Sequence, residues 1–454
     1  MNMDKQTISR RRWALLVIIS SFLFSPAGAQ TPWSLRQCID YAISHNIEIQ
    51  QRDNQRLQQE YQLSTARNSR LPDLNAQASE NFSFGRAQTL DGTYSNRNTN
   101  NTSFGLGTTV PLFTGYQIPN NIKLSQLNLE AATADLEKAK NDISMRVAQA
   151  YVQILYDMEI ADVARRQIAI DSQQVVRLSA FVQNGKASQA ELSQQQSTLA
   201  QARLTATQAN NNLQLSVLTL TQLLELPTPD GFGIVRPELC GFSGDSGHSG
   251  ISGMSPELIY QEALAFKPEV LAERLRLSAS ERNIDIAKAG LYPKLSFNAG
   301  LQTNYYKTNG IAADGFMSQM KNNFAQYVGV SLNVPIFNRF QTRNSIRSAR
   351  LDRDSQQLAL DNVKKTLYKE IQQVFYNVRA AQAKYQSSET ATQSASDAFT
   401  LMQAKYENGK ATSTEFNETK NNYLKAESNL VQARYEYLYQ TALLDFYRGR
   451  ELSF

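Results

Sequence analysis

Histidine and cysteine are nearly missing: His45, His248, Cys38 and Cys240 are the whole supply in 454 residues. Two scattered histidines offer no base–nucleophile pair. Two cysteines are free to pair with each other in an oxidising compartment, but they build neither a disulfide framework nor a metal site. Neither cysteine follows an apolar leader, so no acyl anchor is expected. The composition therefore points away from enzymes, cofactors and metals. Excess charge is missing as well. Once Lys5, Arg10, Arg11 and Arg12 are set aside against Asp4, 42 basic and 40 acidic residues remain of the 46 and 41, and the formal net charge falls from +5 to +2. That balance makes no case for nucleic acid. The apolar run WALLVIISSFLF is too short for a membrane-spanning helix. With the basic MNMDKQTISRRR before it and PAGAQ after it, it reads as a signal peptide over residues 1–29, so the mature chain is exported.

Proline and glycine are sparse in a telling pattern. No proline lies between Pro119 and Pro227, and none follows Pro335; Gly185 is the sole glycine in the first of these runs. In the second, Gly409 stands alone between Gly329 and Gly449. What surrounds each lone glycine is written twice. FVQNGKASQAELSQQ (181–195) and YENGKATSTEFNETK (406–420) share Asn-Gly-Lys-Ala, a Ser or Thr, and a Glu six residues past the glycine.

The duplication extends over the whole mature chain. ARNSRLPDLNAQASENFSFG parallels AKAGLYPKLSFNAGLQ, with Pro72 facing Pro293; SFGLGTTVPLFTGYQ parallels VGVSLNVPIFNRFQ, with Pro111 facing Pro335. Gly185 and Gly409 each lie 74 residues beyond those second prolines. The reading is a first structural repeat at 30–226, a Gly/Pro/Ser-rich connector at 227–255 and a second repeat at 256–454.

Each repeat opens with a helix, about 34–70 and about 256–290, that stops before a Leu-Pro or Tyr-Pro step. Later in each repeat, apolar residues recur at three- and four-residue steps: Leu360, Val363, Leu367, Ile371, Val374, Val378, Ala381, Tyr385, and again Leu213, Val217, Leu220, Leu224. That spacing gives long helices with a coiled-coil-like seam. A glycine after Asn at the end of such a run is a helix stop. Ser188 with Glu191, and Thr412 with Glu415, are capping boxes that restart the chain as helix at once. Residues 184–188 and 408–412 are thus predicted tips of two helical hairpins.

Between opening helix and hairpin, each repeat carries two alternating segments, about 74–85 and 102–113, then about 295–306 and 327–337. Leu74, Ala76, Ala78, Phe82 and Phe84 share one face, as do Phe104, Leu106, Val110 and Leu112, with Ser103, Gly105 and Gly107 opposite. The second repeat groups Leu295, Phe297, Ala299, Leu301 and Tyr305, and then Val328, Val330, Leu332, Val334 and Ile336. Ten-residue period-2 strands suit a tilted bilayer crossing. A half-buried sheet in a soluble domain explains any one of them, but four at duplicated positions in an exported chain favour outer-membrane lipid. Four strands cannot close a barrel, and lipid tolerates no open edge, so copies must share one. Eight strands from a dimer and twelve from a trimer both satisfy that physics.

In this doubled order of helix, two strands and long hairpin, the chain resembles the TolC family of outer-membrane efflux proteins. Its marks are Leu71-Pro72 and Tyr292-Pro293, Pro111-Leu112-Phe113 and Pro335-Ile336-Phe337, and Tyr406-x-x-Gly409. The resemblance implies a mainly α fold with four strands per chain, assembled as a homotrimer into a twelve-stranded barrel continued by a periplasmic α-helical barrel. It implies an exit duct for an inner-membrane transporter reached through a periplasmic adaptor. A protein-secretion duct of the same fold is the alternative within the class, and a periplasmic coiled-coil scaffold or adaptor the alternative outside it. Pro111 and Pro335 are placed at strand-to-helix turns. The family's Gly-Gly after the second such motif is here Asn338, Arg339 and Phe340, and Asn417 stands where the family prefers Leu.

The resemblance also implies that the hairpin tips close the periplasmic entrance, ringed by acidic residues six and nine past the glycine. These are Glu415 and Glu418 in the second repeat, Glu191 and Gln194 in the first. Helix capping accounts for Glu191 and Glu415 by itself, whereas Glu418 has no capping duty and competes only with an ordinary solvated face. Tyr406 matches a family tyrosine that holds the tip through hydrogen bonds, with packing at a helix end as the other reading. The family's tip arginine is Ala411 here, with Lys410 beside it as a substitute donor.

Overall fold

A computed structural model describes residues 32–88, 91–237 and 255–452. The expected signal peptide, Cys240, His248 and most of the connector lie outside these residues. Cys38 is buried with a free thiol, and burial pushes its pKa up to about 12.

Long helices form where proline and glycine are lacking. Helix α3 runs Gln117–Gln183 and is followed by α4, Gln189–Leu223; in the second repeat α8, Gln341–Glu407, is followed by α9, Ser413–Tyr447. Their lengths of 67 and 35 residues occur twice, so the duplication extends to element length. Each 67-residue helix is on the order of 100 Å long. Seven of the eight seam residues expected in α8 are buried, with Val363 half-buried. Small side chains set close helix approach, as where Ala161 and Ala164 of α3 meet Ala209 of α4.

The opening helices differ from expectation, because each is two helices. The first divides into α1, Leu35–His45, and α2, Ile47–Asn68. Asn46 between them is buried and extended, and its side chain donates to the Leu223 carbonyl at 3.0 Å. The second divides into α5, Pro256–Phe266, and α6, Pro268–Lys288, because Pro268 forces Lys267 out of helical geometry.

The four expected strands are β1, Asn75–Ser83; β4, Thr99–Phe113; β5, Lys294–Thr308; and β6, Ala325–Asn333. They form one antiparallel sheet in the order β1-β4-β5-β6, so the two repeats join through β4 and β5. The polar loops hold additional elements: a small hairpin of β2, Arg86–Gln88, with β3, Tyr94–Asn96, and a short helix α7, Phe316–Asn322. Helix α7 covers the outer part of the β5 edge that β6 leaves free, where Gln319 both accepts from the Tyr306 N–H and donates to its carbonyl.

Pro111 lies inside β4 and not in the turn, a correction with a simple cause. The ladder to β5 shifts register between Pro111 and Phe113, and a bulge is where a strand tolerates a residue without an N–H. The turn itself comes later, with Gly115 and Tyr116 at φ of 64° and 65°. Pro335 does lie between β6 and α8. Its turn uses Arg339 and Phe340 at φ of 54° and 63°, so the left-handed pair survives without glycine. Each such non-glycine residue costs about 1–2 kcal/mol. Phe340 packs edge-on against Phe337 at 5.5 Å, and Asn338 donates to Thr342, contacts that offset part of that strain.

Two compact units emerge, and they do not follow the repeats. Of the described residues, one combines those up to Ile47, those between Asn141 and Ile259 and those from Ile371 on, and holds both hairpin tips; the other combines those between Glu48 and Lys140 and those between Tyr260 and Glu370, and holds the sheet. Each unit draws on both repeats. Among the described residues no helix is long and apolar enough to cross a membrane.

Candidate functional site

The two hairpin tips are built alike. Gly185 and Gly409 take φ of 68° and 69°, and no neighbour lies within 4 Å of where a Cβ would stand. Their requirement is thus conformational. In the first tip the Gly185 N–H reaches the Val182 carbonyl at 3.0 Å and Lys186 N–H the Phe181 carbonyl at 2.8 Å. The second repeats this with Gly409 to Tyr406 at 3.1 Å and Lys410 to Lys405 at 2.8 Å, completing two Schellman closures. Three residues on, the next helix starts at a full capping box. Ser188 N–H donates to Glu191 at 2.9 Å and Glu191 N–H to Ser188 Oγ at 3.2 Å; Thr412 and Glu415 exchange the same bonds at 2.8 and 3.2 Å.

Those bonds separate the carboxylates. Glu191 and Glu415 are engaged in capping, and donation from the Thr412 backbone and hydroxyl holds the Glu415 carboxyl below the usual carboxylate range. Glu418, one turn further, is exposed and carries no side-chain hydrogen bond or ion pair. Gln194 is exposed on the first hairpin.

Tyr406 is half-buried and held by stacking within one chain. Its ring lies on Phe416 with centroids 4.7 Å apart, and Phe416 in turn meets Phe399, which stacks on Tyr423. Burial raises the Tyr406 pKa, with Arg177 opposing and Glu191 adding to the shift. Arg177 is the tip residue that sequence reasoning missed. Its guanidinium sits 5.2 Å from the Tyr406 ring centre and 5.4 Å from that of Phe181, and it donates to the Glu407 carbonyl at 3.0 Å. An arginine of the first hairpin therefore clasps the end of α8 in the second. The bond that Lys410 makes within the tip is the backbone one to the Lys405 carbonyl. The available sequence signal was Arg177 four residues before Phe181, a helical cation–π spacing.

Below the clasp lies a polar layer in the helical core. Lys420 of α9 and Asp171 of α3 are both fully buried and paired. Gln195 of α4 donates to the same Asp171 oxygen at 3.2 Å, Lys420 also donates to Asn417 at 3.2 Å, and Asn417 donates to Gln195 at 3.1 Å. Asn417, unusual against the family pattern, is thus a member of a bonded layer. Further along the same two helices Arg166 pairs with Glu427 at 2.6 Å.

The sheet supplies the second functional surface. Cross-strand register puts Ala76, Leu106 and Leu301 on one face, with Val110, Phe297 and Val330. The opposite face carries Asn75, Gln77, Ser103, Thr109, Ser296, Asn298, Gln302 and Asn304, linked in part by hydroxyl and amide bonds such as Ser79 to Ser103 at 2.6 Å and Thr109 to Asn298 at 3.1 Å. Among the described residues no group of three or more His, Cys, Asp or Glu could hold a metal ion.

Comparison with known proteins places this geometry. The sequence profile of the family described as outer membrane efflux protein matches residues 38–225 and 259–450. Outer membrane efflux protein BepC of Brucella suis is 21% identical over 329 residues, 72% of this chain and 67% of that protein. The pyoverdine export outer membrane protein OpmQ of Pseudomonas putida is 29% identical over 202 residues, a match spanning 42% of this chain and 41% of that protein. Among solved structures, the outer membrane protein VceC of Vibrio cholerae shares the fold with a TM-score of 0.72 at 18% identity, covering 92% of this chain and 97% of that one. With both hairpins and all four strands of the sheet inside the matched segments, the chain belongs to the outer membrane efflux protein family, whose members are TolC-like channels of the Gram-negative outer membrane.

Proposed function

We propose that the protein is the exit duct of a tripartite efflux system: a passive channel for small molecules, with no catalytic step, driven by an inner-membrane transporter through a periplasmic adaptor. It works as a homotrimer in outer-membrane lipid. The observation that carries this reading is a four-stranded sheet with an apolar face, a polar face and two free edges. Lipid does not tolerate such edges, so copies pair β6 of one with β1 of the next.

The register supports a barrel quantitatively. Through Ser103, the middle of β1 (Ser79) stands level with Asn304 of β5, whereas the middle of β6 (Gly329) faces Asn298, six residues lower. If the two nine-residue edges pair flush, each strand steps by about 1.5 residues, or about 5 Å of rise per roughly 4.8 Å of width. That slope is a strand tilt of about 45°, the upper end of the range for membrane barrels. Eight strands enclose only enough room for their own side chains, whereas twelve leave a lumen. The trimer therefore suits a duct.

Two tips per subunit put six at the periplasmic entrance. Glu418 is the carboxylate free to ring it, and three copies about the axis would attract cations and repel one another. Glu191 and Glu415 chiefly cap helices there, and Tyr406 anchors the tip by packing. The test is conductance of the mature protein in a planar bilayer, beside Glu418→Gln. A cation-preferring conductance that loses its preference in the variant supports duct and gate together. Unchanged preference returns Glu418 to an ordinary solvated face, and absence of insertion removes the duct.

A further inference from the structure

We propose that Gly300, Gly107 and Tyr327 form a slot in which the tyrosine lies flat against the barrel wall, so that Tyr327 sets the bore of the lumen and the size of cargo that passes. This rests on the duct reading, since it takes the polar face of the sheet as the lumen wall.

The three residues share one cross-strand row: Tyr327 of β6 faces Gly300 of β5, which faces Gly107 of β4. A Cβ built at Gly300 would come within 2.7 Å of both Cζ and Oη of Tyr327, and within 2.8 Å of Cε1. One built at Gly107 would be 3.6 Å from the same hydroxyl. The ring therefore lies along the sheet, over the first glycine and toward the second. Its outer side is open, with Tyr327 49% exposed. The neighbouring row is paved from the other edge, where a Cβ built at Gly105 would come within 3.1 to 3.6 Å of the Gln77 side chain. On this face β5 presents Lys294 at its inner end and Thr308 at its outer end, and between them Ser296, Asn298, Gly300, Gln302, Asn304 and Tyr306, whose partners on β4 and β6 are all uncharged. With no charge at this level, the wall selects by width.

The glycine is what permits the flat ring. Any larger residue at 300 occupies the ring's volume, and the tyrosine must turn to another staggered rotamer, away from the wall. In a trimer three rings would then stand into the lumen. A tyrosine laid over a cross-strand glycine also strengthens strand pairing. That role predicts loss of assembled protein in Tyr327→Ala, and it makes no prediction about bore.

The experiment uses the full-length chain in intact cells, with Asn298→Cys as a reporter on the same face, two residues inward of Gly300, and maleimide reagents of graded size added outside. The chain without the added cysteine controls for Cys38 and Cys240. With Gly300→Val, labelling by the larger reagents is expected to be lost while the smallest still reacts. Adding Tyr327→Ala to that variant is expected to restore the full size range when samples are matched for the amount of assembled oligomer. If Gly300→Val does not assemble, Gly300→Ala is read in the same way. An unchanged size limit in the glycine variant, or no rescue by Tyr327→Ala, overturns the slot and leaves the duct standing. If even the smallest reagent fails to reach position 298 while it labels Asn309→Cys in the adjoining loop, the duct reading falls and the slot with it.

Discussion

Replacing Lys420 by methionine probes the buried layer beneath the tips and separates pairing from packing. Methionine keeps an unbranched side chain only one atom shorter and removes the charge. It leaves Asp171 with one donor, Gln195, and with an Oδ2 that is already buried without a partner. Removing one member of a fully buried pair costs about 3–5 kcal/mol, because the remaining charge is stranded. A cooperative unit of roughly 200 residues loses about 2 °C or more of melting temperature per kcal/mol, so Lys420→Met is expected to melt at least about 6–10 °C lower. Asp171→Leu with Lys420→Met removes both charges. Its cost is limited to the polar partners Gln195 and Asn417, about 1–3 kcal/mol each when left unsatisfied, set against relief of the desolvation that the pair carried. The double variant is expected to be more stable than Lys420→Met alone, with a coupling energy of at least about 2 kcal/mol. The assay is helical circular dichroism of the purified oligomer, heated at one fixed scan rate because unfolding of such assemblies is a rate process. A single variant within about 2 °C of wild type, or a double variant as unstable as the summed singles, would refute the argument.

Two further outcomes follow from the tips. Arg177→Ala removes the cation over Tyr406 and the donor to the Glu407 carbonyl, a loss of about 1–2 kcal/mol at a partly buried site. Channel openings in a planar bilayer should become more frequent, with Arg177→Lys intermediate because it keeps charge but not the planar fork; an unchanged opening rate would exclude the clasp from closure. The second concerns pH. Because the folded-state pKa of Glu415 is depressed by its bonds to Thr412, its contribution is complete above the ordinary carboxylate value and lost as pH falls through the lower folded value. Hydrogen-exchange protection at the second tip should hold constant from about pH 7 to 5 and fall only in more acid solution, and Glu415→Gln should abolish that acid limb. Protection already falling between pH 7 and 5 would assign the titration to another group.

What the sequence made legible was local chemistry. The tips could be read because a C′ glycine and a capping box each need residues only three or four apart. Strand centres followed from period 2, while all but one of their ends moved by one to four residues, since ladders end where partners end. The break at Asn46 was hidden because its cause, the Leu223 carbonyl, lies 177 residues away. Arg177 escaped for the same reason, with its carbonyl partner 230 residues distant. Pro111 misled because proline usually ends a strand, and only the register of β5 reveals the bulge that accommodates it. The glycine row under Tyr327 was visible as glycine but not as a row, which exists only once three strands are aligned.

The pairing of β4 with β5 also governs the order of events after export. These two strands match along their whole length, yet about 200 residues of chain separate the partners, a closure that is slow on entropic grounds. A chain emerging from its N-terminus delivers β1, β4 and the entire first hairpin before β5 exists. The earlier half must then wait with β1 on one edge of β4 and nothing on the other, its apolar strand face open to water and to other chains. Each compact unit needs sequence from both repeats, so no intermediate of half length is a finished domain. The interval between delivery of β4 and delivery of β5 is therefore the period in which the apolar strand face lacks its main partner, and in which a truncated chain is most exposed to proteolysis.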